Sequence, residues 1–233
     1  MFNSSLCSVT YLASEGPEGL QSKLQECLQE ANLDHFPYMT VALASLVVYL
    51  YIKANGFKHE DVWISPMTIF RDGEYHRLLT GVLYHADDTH LVYNLASFVT
   101  KCALLEQRFK PWYVLYMVII FTVLSSLFCT FLRILSACIN KNRKKGLVQG
   151  CIGISGVLFA LKVVISDFTK ENEFMYWLEL AAVHIMTSEA CFTSHLGGIL
   201  VGVLYKYNIL QRIMNFGSLD GYAMRDNEAV VGT

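Results

Sequence analysis

The sequence has few charged residues: only 16% of its 233 residues are Asp, Glu, Lys or Arg, against roughly 25% in an ordinary soluble domain. It has only four prolines, and its hydrophobic content of 54% argues against disordered, collagen-like and low-complexity chains. Its 18 basic and 20 acidic residues give a formal charge of −2, so we expect no nucleic-acid partner. What remains is an integral membrane protein or an unusually apolar soluble one.

The cysteines lack a recognisable pattern. The chain has seven of them, an odd number, and none forms a Cys-x-x-Cys pair, so their spacing predicts neither a zinc site nor a disulfide framework. We therefore expect small apolar side chains packed in a core, with no metal and no cofactor. The N-terminus also lacks the basic segment and the long apolar stretch of a cleavable signal peptide, so none is expected.

Long stretches without any charge are present instead. One lies between Asp34 and Lys53, and another lies between Lys110 and Arg133. Each is close to the ~20 residues that a helix needs to cross ~30 Å of hydrocarbon. Four weaker apolar segments carry polar residues, which inside a span usually face the bundle interior or water. The pattern predicts six membrane-spanning helices that begin near residues 36, 89, 111, 147, 174 and 192.

The predicted fold class is therefore an all-α membrane protein. Residues 1–35 form a polar N-terminal segment with one short amphipathic helix, residues 36–208 form the six-helix domain, and residues 209–233 form a short tail. Residues 53–88 are too apolar for a flexible linker, and we expect them to form a packed connection. The positive-inside rule does not orient the domain, because nine Lys and Arg residues fall on each side of the membrane.

The even-numbered spans run in the same direction, so their N-terminal ends meet at one membrane face. These ends carry polar residues of the types used in catalysis, namely His85, His90, Asn94, Ser155 and His195. Ser155 lies eight residues after Leu147, which places it on the order of 10 Å below the surface if the helix begins there. We expect a sunken site that water can reach.

A serine beside a histidine is suited to nucleophilic acyl transfer. Ser155 would attack a carbonyl after His195 takes its proton, and His195 would return that proton to the leaving amine. No acidic residue is placed to orient the histidine, so the prediction is a dyad.

The other polar residues of this face suit the developing oxyanion. The backbone N–H of Ser155, with the side chains of His90 and Asn94, could donate to it. The glycines that flank the serine, Gly153 and Gly156, would let the backbone bend and the substrate approach closely.

Each of these features alone also has a structural explanation. A Gly-x-Ser-Gly sequence is weak evidence, since small residues are common where membrane helices pack, and Gly198 and Gly202 fit such a seam. His85 and His90 could be loop residues or metal ligands, but no cysteine or carboxylate cluster completes a zinc set. A different function class is a transporter that uses Lys162, Glu179 and His184 as a polar pathway. These residues could equally pair with one another within the bundle.

Three motifs, in this order, resemble the rhomboid family of intramembrane serine proteases. The stretch from His85 to Asn94 reads HADDTHLVYN and resembles the family's HxxxxHxxxN. Residues 153–156 read GISG and resemble its GxSG, and residues 195–202 read HLGGILVG and resemble its HxxGxxxG. The resemblance implies the six-helix rhomboid bundle over residues 36–208, and the segments around these motifs are most similar to the endoplasmic-reticulum branch.

The resemblance also implies roles for individual residues. Ser155 and His195 would be the catalytic dyad, and His90 and Asn94, with the backbone of Ser155, would form the oxyanion hole. Three further residues match supporting positions: Glu106 a structural glutamate, Arg77 the arginine of a Trp-Arg pair in the first connection, and Phe159 a tyrosine that packs on the catalytic histidine. His76 stands where that tryptophan is usual.

The implied function is hydrolysis of peptide bonds in or near transmembrane segments of membrane-protein substrates, within a lipid bilayer. The implied location is the endoplasmic reticulum, with both termini cytosolic. The alternative is a catalytically silent rhomboid-like chaperone or dislocation factor, although such proteins typically lack the serine or the histidine. The ubiquitin-binding motifs of this branch lie on a long C-terminal tail, and we do not carry them over.

Overall fold

The computed structural model describes residues 36–53, 58–139, 143–186 and 191–214. Within them the structure is helical apart from one β-bridge, which confirms the all-α prediction for this part of the chain. The helices are α1 (Tyr38–Lys53), α2 (His59–Val62), α3 (Arg77–Thr80), α4 (Asp88–Arg108), α5 (Pro111–Ile139), α6 (Arg143–Val148), α7 (Ser155–Phe168), α8 (Phe174–Met186), α9 (Phe192–Lys206) and α10 (Ile209–Met214). The short helix predicted within residues 1–35 lies outside the described residues.

Five of the six predicted helix starts lie within two residues of an observed start, and the fourth is wrong. The helix expected from residue 147 begins at Ser155. Residues 149–154 instead form a bent, non-helical segment, in which Gly153 has a φ of 98° and the backbone of Cys151 forms a β-bridge with Ile64. Ser155 is therefore the first residue of its helix, and the depth expected from a start at Leu147 loses its basis.

One described helix, α5, is long and apolar enough to cross a membrane by length and composition, with 29 residues. The ranges Tyr38–Lys53 and Phe174–Ile185 are apolar but shorter. The count of six spans therefore stays a prediction.

Helix α7 lies at the centre of the bundle. From Gly156 to Ser166 every residue except Lys162 is buried. It packs most closely on α9 through glycines: a Cβ at Gly198 would lie 1.8 Å from the carbonyl oxygen of Gly156, and one at Gly202 would lie 2.7 Å from that of Ala160. The small-residue seam is thus a helix-packing surface, and it brings the first turns of α7 and α9 together.

The described part of the connection between α1 and α4, residues 58–87, is packed, as predicted. Four of its apolar side chains form a small core, Ile64, Ile69, Leu78 and Val82. The buried Arg77 holds it together, because its guanidinium donates to the carbonyl oxygens of Glu60 and Trp63 and pairs with Glu74 at 2.7 Å.

Glu106 joins α4 to α1. Its buried carboxylate accepts from the backbone N–H and the hydroxyl of Thr40, both at 2.5 Å. These donors lie in the first turn of α1, where backbone N–H groups have no partner within the helix. Glu106 therefore caps that helix and fixes its start.

The cysteine expectation is wrong for one pair. Cys151 and Cys191, 40 residues apart, form a disulfide that ties the segment before Ser155 to the start of α9. The sulfur of Cys129 lies 3.6 Å from that of Cys151. Sequence spacing carried no sign of this pairing, since it depends on how the segment before Ser155 packs against the start of α9. Cys102 is buried and free, as expected.

The charged residues considered for a polar pathway have partners inside the bundle. Lys162 pairs with Glu171 at 2.7 Å, and Glu179 lies 4.0 Å from Lys101. These contacts agree with the simpler explanation that the residues stabilise helix packing.

Candidate active site

Ser155 and His195 are in direct contact. Ser155 is the first residue of α7, and its Oγ lies 2.8 Å from Nε2 of His195, the fourth residue of α9. The imidazole is 4% exposed. The close approach of Gly156 and Gly198 along the same seam brings these two helix starts within hydrogen-bond reach. At this distance a neutral histidine can accept the serine proton.

Phe159 packs on the histidine. It lies one turn after Ser155, and its ring centroid is 4.7 Å from that of His195, with 34° between the ring planes. This is the position that the resemblance gives to a packing aromatic. The ring restricts the imidazole and shields that side from water.

His184 is a neighbour that sequence reasoning did not assign to the site. Its Nε2 lies 3.2 Å from Nδ1 of His195, and Phe192 packs edge-on against its ring at 5.1 Å. The only signal in the sequence was an ionisable residue on the apolar helix α8. Its partner could not be inferred, because no motif includes His184 and the contact depends on how α8 packs on α9.

His90 and Asn94 face the bend that precedes Ser155. A Cβ at Gly153 would lie 2.9 Å from Cε1 of His90 and 3.7 Å from Nδ2 of Asn94. Glycine is therefore required at position 153 for two reasons: its φ is positive, and the side chains of His90 and Asn94 occupy the space that a Cβ would need. A carbonyl bound at Ser155 would therefore lie near both side chains.

Each of these two residues has a side-chain N–H group available for a ligand at the bend, Nε2–H of His90 and Nδ2–H of Asn94. The backbone N–H of Ala86 donates to Nδ1 of His90 at 3.4 Å, so the proton of the neutral ring is assigned to Nε2. Asn94 is 6% exposed, and within the described ranges its buried Nδ2 has no hydrogen-bond partner. An unsatisfied buried donor is costly unless a ligand uses it.

The start of α4 is fixed by a side-chain cap. The carboxylate of Asp87 accepts from the backbone N–H of His90 at 2.8 Å, which sets where the helix begins. His85 is buried beside it, with ring centroids 5.3 Å from His90. Burial lowers the pKa of His85 to about 4, so the ring is neutral near pH 7 and packs as an uncharged support.

A small cavity lies beside this bend. Its walls include Gly153 and Gly156 on one side and Ser125, Ser126 and Cys129 of α5 on the other. The chemistry that the site can support is nucleophilic attack by a serine, with a base on one side and donors on the other.

The cysteine cluster next to the site does not fit a metal. Among the described residues the sulfurs of Cys129, Cys151 and Cys191 are close enough to share an ion. Two of them are joined as a disulfide, and Nη1 of Arg133 lies 3.2 Å from Cys151. A disulfide and a guanidinium are poor surroundings for a cation, which needs free thiolates.

Comparison with known proteins points to one family. A family model described as Rhomboid domain matches residues 72–212. The chain is 31% identical over 211 residues to human rhomboid-related protein 4, which covers 83% of the chain and 66% of the human protein. It is 34% identical over 188 residues to the rat protein of that name, which covers 75% of the chain and 59% of the rat protein.

A plant relative is similar over a shorter range. The chain is 32% identical over 157 residues to rhomboid-like protein 14, mitochondrial, of Arabidopsis thaliana, which covers 62% of the chain and 46% of that protein. The aligned part of the chain thus spans between 59% and 66% of the human and rat relatives. The range matched by the family model, residues 72–212, contains every predicted site residue.

Proposed function

The chain belongs to the rhomboid family, whose members are membrane proteins, and on that premise we propose that it is an intramembrane serine protease. The observation that carries the proposal is the contact of 2.8 Å between Ser155 Oγ and His195 Nε2, with donors converging on the adjacent bend. Family membership alone does not distinguish an enzyme from a silent relative, and this contact favours the enzyme.

In the first half of the reaction, His195 Nε2 takes the hydroxyl proton while Ser155 Oγ bonds to the scissile carbonyl carbon. The carbonyl oxygen becomes an oxyanion, to which the backbone N–H of Ser155, Nε2–H of His90 and Nδ2–H of Asn94 donate. The intermediate collapses as the C–N bond breaks, and the histidine gives its proton to the leaving amine. Water, deprotonated by the same histidine, then hydrolyses the acyl-enzyme and restores the serine.

The proposed substrate is a transmembrane segment of another protein. We assign the six spans to α1, α4, α5, α7, α8 and α9. Helix α7 has 14 residues and is about 21 Å long at ~1.5 Å per residue, shorter than ~30 Å of hydrocarbon. If α7 reaches the far surface, Ser155 lies about 9 Å below the near one. A substrate helix must unwind there, since its carbonyls are hydrogen-bonded and shielded.

The proposed location is the endoplasmic-reticulum membrane, with both termini cytosolic. An even number of spans leaves the two termini on the same side. Because one relative is named as mitochondrial, co-localisation of the tagged chain with markers of both organelles is the relevant measurement. Mitochondrial signal alone would contradict this part of the proposal.

Labelling with a fluorophosphonate tests the mechanism without a known substrate. The reagent should label Ser155 in the wild type, and His195→Ala should abolish labelling, because the hydroxyl is a poor nucleophile without its base. Ser166→Ala is the matched control: this serine also lies on α7, where it is buried and its hydroxyl donates to the carbonyl of Val163. Absence of label from folded wild type would contradict the protease and favour the silent chaperone or dislocation factor.

A further inference from the structure

The second ring nitrogen of His195 also has a partner. Nδ1 lies 3.2 Å from Nε2 of His184, with ring centroids 5.2 Å apart. Phe159 packs on one ring at 4.7 Å and Phe192 on the other at 5.1 Å. Helix α8 thus supplies a third residue in line with the serine and the base.

The direction of this hydrogen bond follows from the chemistry at the other nitrogen. To accept a proton from Ser155, Nε2 of His195 must carry a lone pair, so the proton of the neutral ring is on Nδ1. Nδ1–H then donates to Nε2 of His184, whose own proton must be on Nδ1. Each histidine is held in one tautomer by the other.

We propose that His184 is a positioning residue that holds His195 in the tautomer and orientation needed for a general base. This inference rests on the proposed proteolytic function. When His195 takes the serine proton, its Nδ1–H bond to His184 becomes charge-assisted and stronger, so the contact stabilises the transition state more than the ground state. A neutral histidine here takes the orienting role that an aspartate has in a Ser-His-Asp triad.

The hydrogen bond between His195 and His184 makes the proposed reaction depend on pH. A protonated His184 has no lone pair at Nε2 and cannot accept from His195. It would instead donate, which leaves the proton of neutral His195 on Nε2 and removes the base. Among the described residues, the titratable groups that influence the charge of His195 are His184 on α8 and His90 on α4; the ring of Phe159 packs on His195 and that of Phe192 on His184. Protonation of either histidine of the pair therefore stops the reaction.

Two substitutions separate positioning from packing. His184→Gln keeps an acceptor near the position of Nε2 and cannot be protonated near neutral pH, whereas His184→Phe keeps the ring shape and removes the acceptor. We expect His184→Phe to lower kcat and the rate of fluorophosphonate labelling by about 10- to 100-fold, with KM changed less than threefold. His184→Gln should recover most of that loss. The control is His76→Gln, at an exposed position in the first connection.

The pH profile gives the readout that a packing role would not move. In the wild type the acid limb reflects protonation of either histidine, and in His184→Gln one of the two sites is gone. The limb should therefore move to lower pH. Wild-type kcat and an unchanged pH profile in His184→Phe would overturn the proposal. An equal loss of kcat in His184→Phe and His184→Gln would also overturn it.

Nitrogen-15 spectra of the histidines test the same inference independently of activity. In the wild type the signals assigned to His195, by difference from His195→Ala, should show a protonated Nδ1 and a bare Nε2, and His184→Phe should give a mixture of tautomers. A proton on Nε2 of His195 in the folded wild type would overturn the positioning role even if neither His184 variant folds. Loss of labelling in Ser155→Ala tests the proposed function, so the two failures are distinguishable.

Discussion

At the scale of single residues, the proposed site depends on a buried donor and on a bend that accommodates only glycine. The side-chain nitrogen of Asn94 is buried and, among the described residues, unpaired, and Gly153 lies against both Asn94 and His90. The motif positions could be predicted from sequence because histidine and asparagine are rare in apolar segments, and because the serine between two glycines follows them in the order of the family's motifs. His184 could not be assigned, since a lone histidine on an apolar helix does not reveal its partner.

Asn94→Ala should lower kcat by about 100- to 1,000-fold with little change in KM, because an oxyanion donor acts mainly on charge that develops in the transition state. Steady-state cleavage of a transmembrane substrate measures this. Ser97→Ala, one turn further along α4 at another buried position, should retain activity within a few-fold. An Asn94→Ala enzyme with wild-type kcat would remove Asn94 from the oxyanion hole.

Gly153→Ala should reduce labelling of Ser155 more than tenfold, because the added Cβ would lie 2.9 Å from His90 and the φ of 98° is unfavourable for alanine. The control is Gly73→Ala, where φ is 73° but nothing lies within 4 Å. Both changes strain the backbone, so only crowding of the site distinguishes them. Equal labelling of the two variants would contradict the assigned position of His90.

At the scale of helices, two features hold Ser155 and His195 together: the glycine seam between α7 and α9, and the disulfide beside it. Most helix starts could be predicted from apolar length, but the start of α7 could not. Residues 147–154 are nearly as apolar as the membrane-spanning helix that was predicted there. The turn at Gly153 and the β-bridge between Cys151 and Ile64 depend on tertiary contacts, which the sequence does not reveal. The disulfide has the same tertiary origin.

Gly198→Ala should separate α7 from α9 and lower both stability and activity, because its Cβ would lie 1.8 Å from the backbone oxygen of Gly156. Overpacking of this kind costs about 1–3 kcal/mol or more when backbone must move. The temperature of half-inactivation and the labelling rate measure the two effects. Gly146→Ala, where a Cβ would meet Ala137 at 3.2 Å, should change neither greatly. A fully active, stable Gly198→Ala variant would exclude the seam as the feature that aligns the dyad.

Cys191→Ser should lower the temperature of half-inactivation under non-reducing conditions, because the disulfide joins segments 40 residues apart. The expected cost is on the order of 2–4 kcal/mol. A reductant should lower the wild type to the level of the variant and leave the variant unchanged. Cys138→Ser, at an exposed free cysteine, is the control. No difference between wild type and Cys191→Ser would indicate that the bond contributes nothing to stability.

At the scale of the whole molecule, three motifs spread over residues 85–202 meet at one end of a helical bundle. Sequence order and span direction were enough to predict this convergence. They could not give the depth of the site, which depends on the length of α7, nor the second contact of His195, which depends on how α8 packs. The apolar composition predicts a membrane protein, and the few polar residues within its helices predict the chemistry.

The most direct test of the central claim is cleavage of a transmembrane substrate in liposomes by purified wild type and by Ser155→Ala, with the products identified by mass spectrometry. The account predicts one defined cut in or near the transmembrane segment with the wild type and with Ser166→Ala, and none with Ser155→Ala. Equal cleavage by the wild type and Ser155→Ala would contradict it.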